Sequence, residues 1–165
     1  MDKNIESLYN LATHDEKTGL YNYRFFQEIF GIEFEKAKRG QNLSIVIFDI
    51  DNFKMINSKF GHINADKILI KVAKIIKNIL RKYDVVARFG GEEFIVMLPS
   101  TNLIKAKKVS ERIRISIEKD FKKEKVTISG GIAEYKKGDT KEKLKNRADK
   151  FLFKAKSNGK NRIEF

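Results

Sequence analysis

The sequence predicts a single α+β domain: one five-stranded, mainly antiparallel sheet flanked by helices, built on a ferredoxin-like, palm-type βαββαβ core. Three observations carry this. Leu43–Ile50 is an apolar, β-branched run that reads as a buried strand. The pair Gly90-Gly91 stands between two short strand-like runs, as in a hairpin. Amphipathic stretches at helical spacing separate these strands from one another and follow them.

Taken in order, residues 2–13 read as a short helix. A second helix is expected over about 22–39, with Phe25, Phe26, Ile29 and Phe30 as apolar positions. After the strand at Leu43–Ile50 comes a helix over about 64–82. Strands over about 84–89 and 92–98 then flank Gly90-Gly91, where a two-residue turn is expected because glycine supplies the positive φ such turns require. Pro99 ends the second of them. A helix over about 102–119 presents Leu103, Ala106, Val109, Ile113 and Ile117 on one side. The segment 126–135 reads as a strand and 140–157 as a helix through Leu144, Ala148, Phe151 and Ala155; 162–165 reads as a last strand. From residue 43 to 135 the order is therefore βαββαβ, with one helix before it and a helix–strand unit after it.

Composition narrows the class. The 165 residues suit one domain with a sizeable core, and 41% hydrophobic with 35% charged residues is a globular balance. There is no cysteine, which excludes disulfides and thiolate metal sites. Nothing approaches the roughly 18 consecutive apolar residues of a membrane span, and residues 1–10 do not resemble a signal peptide. A cytoplasmic protein without direct membrane insertion is expected. The formal charge of +13 admits a polyanion partner or plain solvated helix faces. Lys67, Lys71, Lys74, Lys77 and Arg81 recur opposite Ile68, Val72, Ile75, Ile76 and Ile79, so the bulk of the charge is assigned to solvated faces. No nucleic-acid partner is expected, since stacking aromatics on a basic surface are not evident.

Three constellations could carry chemistry. In Phe48-Asp49-Ile50-Asp51-Asn52-Phe53-Lys54, two carboxylates at i and i+2 end an apolar strand and point to one side of it. Either they reach solvent or they bind a hard divalent cation, which takes one or two carboxylates plus substrate phosphates. We expect Asp51 to cap the helix that follows, leaving Asp49 as the better ligand candidate. In Arg88-Phe89-Gly90-Gly91-Glu92-Glu93-Phe94, two acids follow two residues without side chains, where a bulky ligand can approach the backbone. Alone, that pattern is equally a solvated turn. In Arg81-Lys82-Tyr83-Asp84, arginine can fork to phosphate or guanine and aspartate can accept from guanine; the plainer reading is an arginine at a helix C-terminus and an aspartate in a turn.

Together these segments resemble a family. Gly90-Gly91-Glu92-Glu93-Phe94 is similar to the GGDEF signature of diguanylate cyclases, in its GGEEF form. Asp15 through Asn22 resembles the family's opening D-x-L-T-G-L-x-N segment. Asp49 through Asn57, then Gly61-His62 and Asp66, resemble its D-x-D-x-F-K-x-I-N…G-H…D core. Thr127 through Ala133 is similar to its late strand; Ala148-Asp149-Lys150, Ala155-Lys156 and Gly159-Lys160-Asn161-Arg162 are similar to its closing segment. The resemblance covers about residues 12–165, in order and at family spacing, and divides the chain into 1–14, the end of a connecting helix, and 15–165, the catalytic domain. It departs from the family pattern at Lys17, where leucine is usual, and at Tyr23, Ala65 and Phe153.

The resemblance implies condensation of two GTP into cyclic di-GMP. It implies that Asp49 and Glu92, with the backbone carbonyl of Ile50, bind Mg²⁺ (or Mn²⁺). Glu92 would accept the proton of the attacking 3′-hydroxyl and Glu93 would support the site. Asn52, Phe53 and Lys54 would hold the phosphates beside Gly90 and Gly91; Asn57 and Asp66 would read the guanine, with His62 close by; Lys156 and Lys160 would steady the γ-phosphate end. Arg81 and Asp84 would form a product-inhibition site. It further implies a transient homodimer for catalysis and an N-terminal regulatory domain beyond this chain. A domain of the same fold that only binds GTP or cyclic di-GMP as a sensor is the alternative, although Asp49, Gly90, Gly91, Glu92 and Glu93 are all kept.

Overall fold

The computed structural model describes residues 3–165. Eleven elements follow one another: α1 (Lys3–Thr13), β1 (Tyr21–Asn22), α2 (Tyr23–Lys38), β2 (Leu43–Ile50), α3 (Phe53–Ile79), β3 (Val85–Arg88), β4 (Glu93–Pro99), α4 (Leu103–Asp120), β5 (Ile128–Glu134), α5 (Lys141–Ser157) and β6 (Ile163–Glu164). The first residue of the helix expected over 2–13 lies outside the described residues. No helix among the described residues is long and apolar enough to cross a membrane.

The sheet has six strands in the order β1-β3-β4-β2-β5-β6, not the five expected. Its four central strands are antiparallel and follow the βαββαβ order, whereas the two-residue strands β1 and β6 pair parallel at either edge. β1 is the added strand. Its two residues are too few to show an alternation, and Asn22 also serves as the N-cap of α2 by accepting from the Phe25 N–H, so the segment reads as a helix start.

Helices cover both faces, which is why β2 is apolar on consecutive residues rather than alternate ones. Leu43, Ile45 and Ile47 pack with Phe26, Phe30 and Phe34 of α2 and with Leu144, Ala148 and Leu152 of α5. Val46, Phe48 and Ile50 pack on the other face, with Leu69, Val72 and Ile76 of α3 and Ile113 and Ile117 of α4. By the same alternation Asp49 falls on the α5 side. α5 lies directly on β5: a Cβ at Gly131 would stand 2.1 Å from the Ala148 carbonyl oxygen and 2.2 Å from the Leu152 nitrogen. Glycine is what lets this helix, which carries Lys156, approach the sheet.

Two expectations about loops are corrected. The helix expected over 64–82 starts earlier, at Phe53, breaks at Gly61 (φ 77°, ψ 160°) and ends at Ile79. Glycine makes that break possible, and helical spacing is legible only beyond it. The hairpin expected to turn through two residues has residues 89–92 between its strands, closed by the Phe89 N–H on the Glu93 carbonyl at 2.8 Å. Neither Gly90 nor Gly91 is left-handed. A Cβ at Gly90 would stand 2.5 Å from the Glu93 carboxylate, so a side chain there would move that carboxylate.

One buried carboxylate fastens the site end of the sheet. Asp51, 3% exposed, was expected to cap α3 but does not; Asn52 holds the cap position, in a left-handed conformation. Asp51 accepts from Thr127 Oγ1 (2.7 Å), Ser129 Oγ (2.7 Å), Lys156 Nζ (2.8 Å) and the Asn161 N–H (3.0 Å). It therefore joins the end of β2 to β5, α5 and the loop before β6. Burial pushes its carboxyl up, but the bonds from Lys156, Thr127 and Ser129 outweigh it and hold the group below its ordinary value. A lowered folded value means stability that is complete above the unfolded carboxyl range and lost as the pH falls through the folded one. Asp51→Ala should cost about 3 kcal/mol in urea denaturation at pH 7. The gap from wild type should begin to narrow only below about pH 4.

Candidate active site

β2 and β4 set Asp49 directly opposite Glu93, and β5 sets Ser129 on the other side of Asp49. Opposed residues of an antiparallel pair share a face with Cβ atoms about 5 Å apart, so two carboxylates there repel. The Ile50 N–H donates to the Glu92 carbonyl at 3.3 Å, which brings the hairpin loop against the end of β2. Burial is the main cause that raises the Asp49 carboxyl, with Glu92 and Asp51 adding to it against the pull of Lys156. Glu93 is raised by burial and by Asp49, Asp149 and Glu92. Lys156 answers this charge: its ammonium pairs with the carboxylates of both Asp49 and Asp51 and donates to the Asp49 carbonyl at 3.2 Å.

Among the described residues no three acidic or imidazole groups form a self-sufficient metal cluster. The donor set is instead of the kind that Mg²⁺ uses with a nucleotide: oxygen ligands only, one or two carboxylates, and phosphates for the rest. Asp49 and Glu92, mutually repelling and at the rim of the sheet, fit such an ion.

The backbone beside them is left-handed at three non-glycine residues. Asn52, Lys160 and Asn161 have φ of 56°, 64° and 47°, a region that asparagine tolerates and that costs a residue such as lysine roughly 1–2 kcal/mol. The three are tied together: Lys160 Nζ binds Asn52 Oδ1, and the Asn161 N–H binds Asp51. Asn52 provides no side-chain cap, so the first N–H groups of α3, at Phe53 and Lys54, have none from it. Lys156 and Lys160 thus stand at this helix start, but each is engaged by the protein's own side chains.

The expected base-reading residues lie along α3, Asn57 before its break at Gly61 and His62 and Asp66 after it. His62 Nδ1 lies 3.1 Å from Asn57 Oδ1, and the Asn57 amide donates to the Phe53 carbonyl at 3.3 Å. Asp66 is paired with Lys17, 2.8 Å from each carboxylate oxygen. The expected inhibition residues are not among them. Arg81 and Asp84 lie before β3, at the end away from the hairpin, and close a tight turn: the Arg81 N–H donates to Asp84 Oδ2 at 2.8 Å and the Asp84 N–H to the Arg81 carbonyl at 3.1 Å. Burial raises the Asp84 carboxyl against these contacts. The turn borders a cavity of 250 Å³ shared with His14, Lys77 and Lys82.

Sequence reasoning assigned no role to Arg88 or Asp15, which shape the hairpin. Arg88 donates from Nε to the Gly90 carbonyl (3.1 Å), from Nη2 to the Gly91 carbonyl (2.8 Å) and from Nη1 to Asp15 (3.2 Å). Asp15 is itself held by the N–H and hydroxyl of Thr18. Tyr23 packs edge-on against Phe89, with centroids 4.8 Å apart. The only advance signal was that Arg88 and Asp15 each sit inside a motif; their 73-residue separation gives no local pattern.

Comparison with known proteins places the chain in a family. A family model described as "Diguanylate cyclase, GGDEF domain" matches residues 12–162. Diguanylate cyclase A of Treponema denticola is 41% identical over 97% of this chain, and diguanylate cyclase DgcM of Escherichia coli is 36% identical over 96%. The chain spans 46% and 39% of their lengths, less than half of each. Among solved structures, the coiled coil and GGDEF domain of DgcB from Caulobacter crescentus, in complex with c-di-GMP, has a TM-score of 0.89 at 26% identity, covering 98% of this chain and 90% of that one. The active GGEEF domain of a diguanylate cyclase from Vibrio cholerae has a TM-score of 0.80 at 35% identity, covering 87% of this chain and 95% of that one. With the family model spanning nearly all of its length, the chain belongs to the GGDEF domain family of diguanylate cyclases.

Proposed function

We propose that this domain is a working half-site that joins two GTP molecules into cyclic di-GMP, with release of two pyrophosphates. The observation that most supports this is the crowding of Asp49, Glu92 and Glu93 beside the uncapped start of α3. Carboxylates and a phosphate-ready helix end, side by side, are what metal-assisted phosphoryl transfer needs. Membership of the family, and relatives named diguanylate cyclases, point the same way.

In this reading the N–H groups at Asn52 and Phe53 and the side chain of Lys54 hold the triphosphate, beside Gly90 and Gly91. Lys156 and Lys160 exchange part of their present pairing with Asp49, Asp51 and Asn52 for phosphate oxygens. Asn57 and Asp66 read the guanine, with His62 holding the Asn57 amide. Asp49, Glu92 and the Ile50 carbonyl would hold a divalent cation, Mg²⁺ or Mn²⁺, which would supply charge neutralisation to the phosphates. Glu92 takes the proton of the 3′-hydroxyl as its oxygen bonds to the facing nucleotide's α-phosphorus. The bond from that phosphorus to the pyrophosphate breaks at the same centre. Two such closures give the ring, so two domains meet face to face across a two-fold axis. Arg81 and Asp84, beside a cavity flanked by Lys77 and Lys82, are the place for inhibition by the anionic product.

The exposed apolar side chains of Ile5, Leu8 and Leu11 on α1 suit a helix that continues into a dimerising, regulatory partner. With GTP as its substrate, the domain would work in the cytoplasm.

Incubation with GTP and Mg²⁺, followed by mass spectrometry, should yield cyclic di-GMP. Asp49→Asn and Glu92→Gln should each lower the rate by at least about a hundredfold with the fold retained. Near-wild-type turnover in either variant refutes the assignment of that residue. Because the catalytic pair is transient, specific activity should also rise with protein concentration, and rise further when a dimeric coiled coil is fused before Ile5. Flat specific activity over a wide dilution range, from a protein of monomer mass, contradicts the face-to-face mechanism.

A further inference from the structure

Resting on the reading of Asp66 as the guanine contact, we infer that Lys17 is a specificity-determining residue of the base pocket, donating to the 6-keto oxygen of the purine. Its ammonium lies 2.8 Å from both oxygens of Asp66, on the bisector of the carboxylate. That is where the N1–H and 2-amino group of guanine would have to bind. An ordinary surface ion pair joins groups free to part, and such a pair contributes little. This one joins two fixed supports. The turn carrying Lys17 is clamped by Asp15, which accepts from Thr18 and Arg88, and is anchored by buried Leu20. Asp66 follows the fully buried Ala65, in the part of α3 after the break at Gly61. Both side chains remain 42% exposed, so a ligand can reach them.

The arriving base must displace Lys17 from the carboxylate, and the tether of the turn keeps the ammonium at the pocket edge. Guanine offers a place for it. Its 6-keto oxygen, an acceptor, adjoins the N1–H, a donor, so Lys17 and Asp66 form a donor–acceptor pair complementary to that edge. Adenine reverses both groups: its 6-amino group would face an ammonium, and its N1 lone pair a carboxylate. Leucine, usual at this position in the family, could exclude water but could not tell the two bases apart by charge.

The test is equilibrium binding of the α,β-methylene analogues of GTP, ITP and ATP, which cannot be cyclised, in Mg²⁺. Lys17→Leu should weaken the GTP and ITP analogues alike by about tenfold, since both carry the keto group, and leave the ATP analogue unchanged or tighter. Lys17→Arg, which keeps a cationic donor, should retain most of the affinity. Asp66→Asn serves as the control for the pocket itself. If Lys17→Leu binds the GTP analogue as tightly as wild type, or more tightly, while Asp66→Asn loses the preference for guanine, the pocket stands and the role of Lys17 is overturned. If Asp66→Asn keeps the preference, the base is read elsewhere and both assignments fall.

Discussion

The site end of this sheet is organised by an electrostatic conflict. Strand pairing places Asp49 opposite Glu93, the hairpin loop adds Glu92, and Asp51 follows two residues after Asp49, buried. Left alone, such a concentration of carboxylates would favour protonation or unfolding. Lys156 resolves part of it by pairing with Asp49 and Asp51 together, and this requires α5 to lie directly on β5. The glycine at position 131 allows that approach, so a packing detail on β5 decides whether a lysine of α5 can reach the acids at the end of the neighbouring strand β2. Asp51 is the satisfied member of the group, with four donors; Asp49 and Glu93 remain raised and in want of more positive charge. The fold thus satisfies one acid with its own donors and leaves the others raised by burial and by one another.

The same economy runs through the backbone. Asn52, Lys160 and Asn161 all adopt left-handed conformations next to this cluster, and hydrogen bonds between the two loops hold them there. Such conformations persist where the surrounding structure holds them. Polar side chains along α3 repeat the theme: Asp66 is covered by Lys17 and Asn57 by His62. Asp66, Asn57, Lys156 and Lys160 therefore each have an internal partner, whereas the start of α3 has no side-chain cap.

Much of this was legible in the sequence, for identifiable reasons. β2 was found with its observed limits because a strand covered on both faces is apolar throughout. The helices α4 and α5 were found because each buries one face. β1 was missed because two residues show no period. The part of α3 before Gly61 was known only as a short helix to be capped, since its exposed Met55 and Lys54 break the apolar stripe. Asp51 was misassigned for a general reason: an aspartate just before a helix is nearly always read as a cap. Its true partners, Thr127, Ser129, Lys156 and Asn161, are 76 to 110 residues away. The acids and glycines of the hairpin were visible as a motif, whereas the Arg88–Asp15 clamp and the Lys17–Asp66 pair arise only when distant segments meet.

If the conflict among Asp49, Glu92 and Glu93 exists to be settled by a cation and a triphosphate together, neither should suffice alone. Thermal denaturation can measure this directly, with Mg²⁺ alone, with the α,β-methylene analogue of GTP alone, and with both. In the wild type the shift in Tm with both should exceed the sum of the separate shifts, because each ligand completes the site for the other. In Asp49→Asn that excess should vanish. A nucleotide that gives its full shift without the metal, or an excess that survives in Asp49→Asn, would contradict a metal–nucleotide site at this end of the sheet.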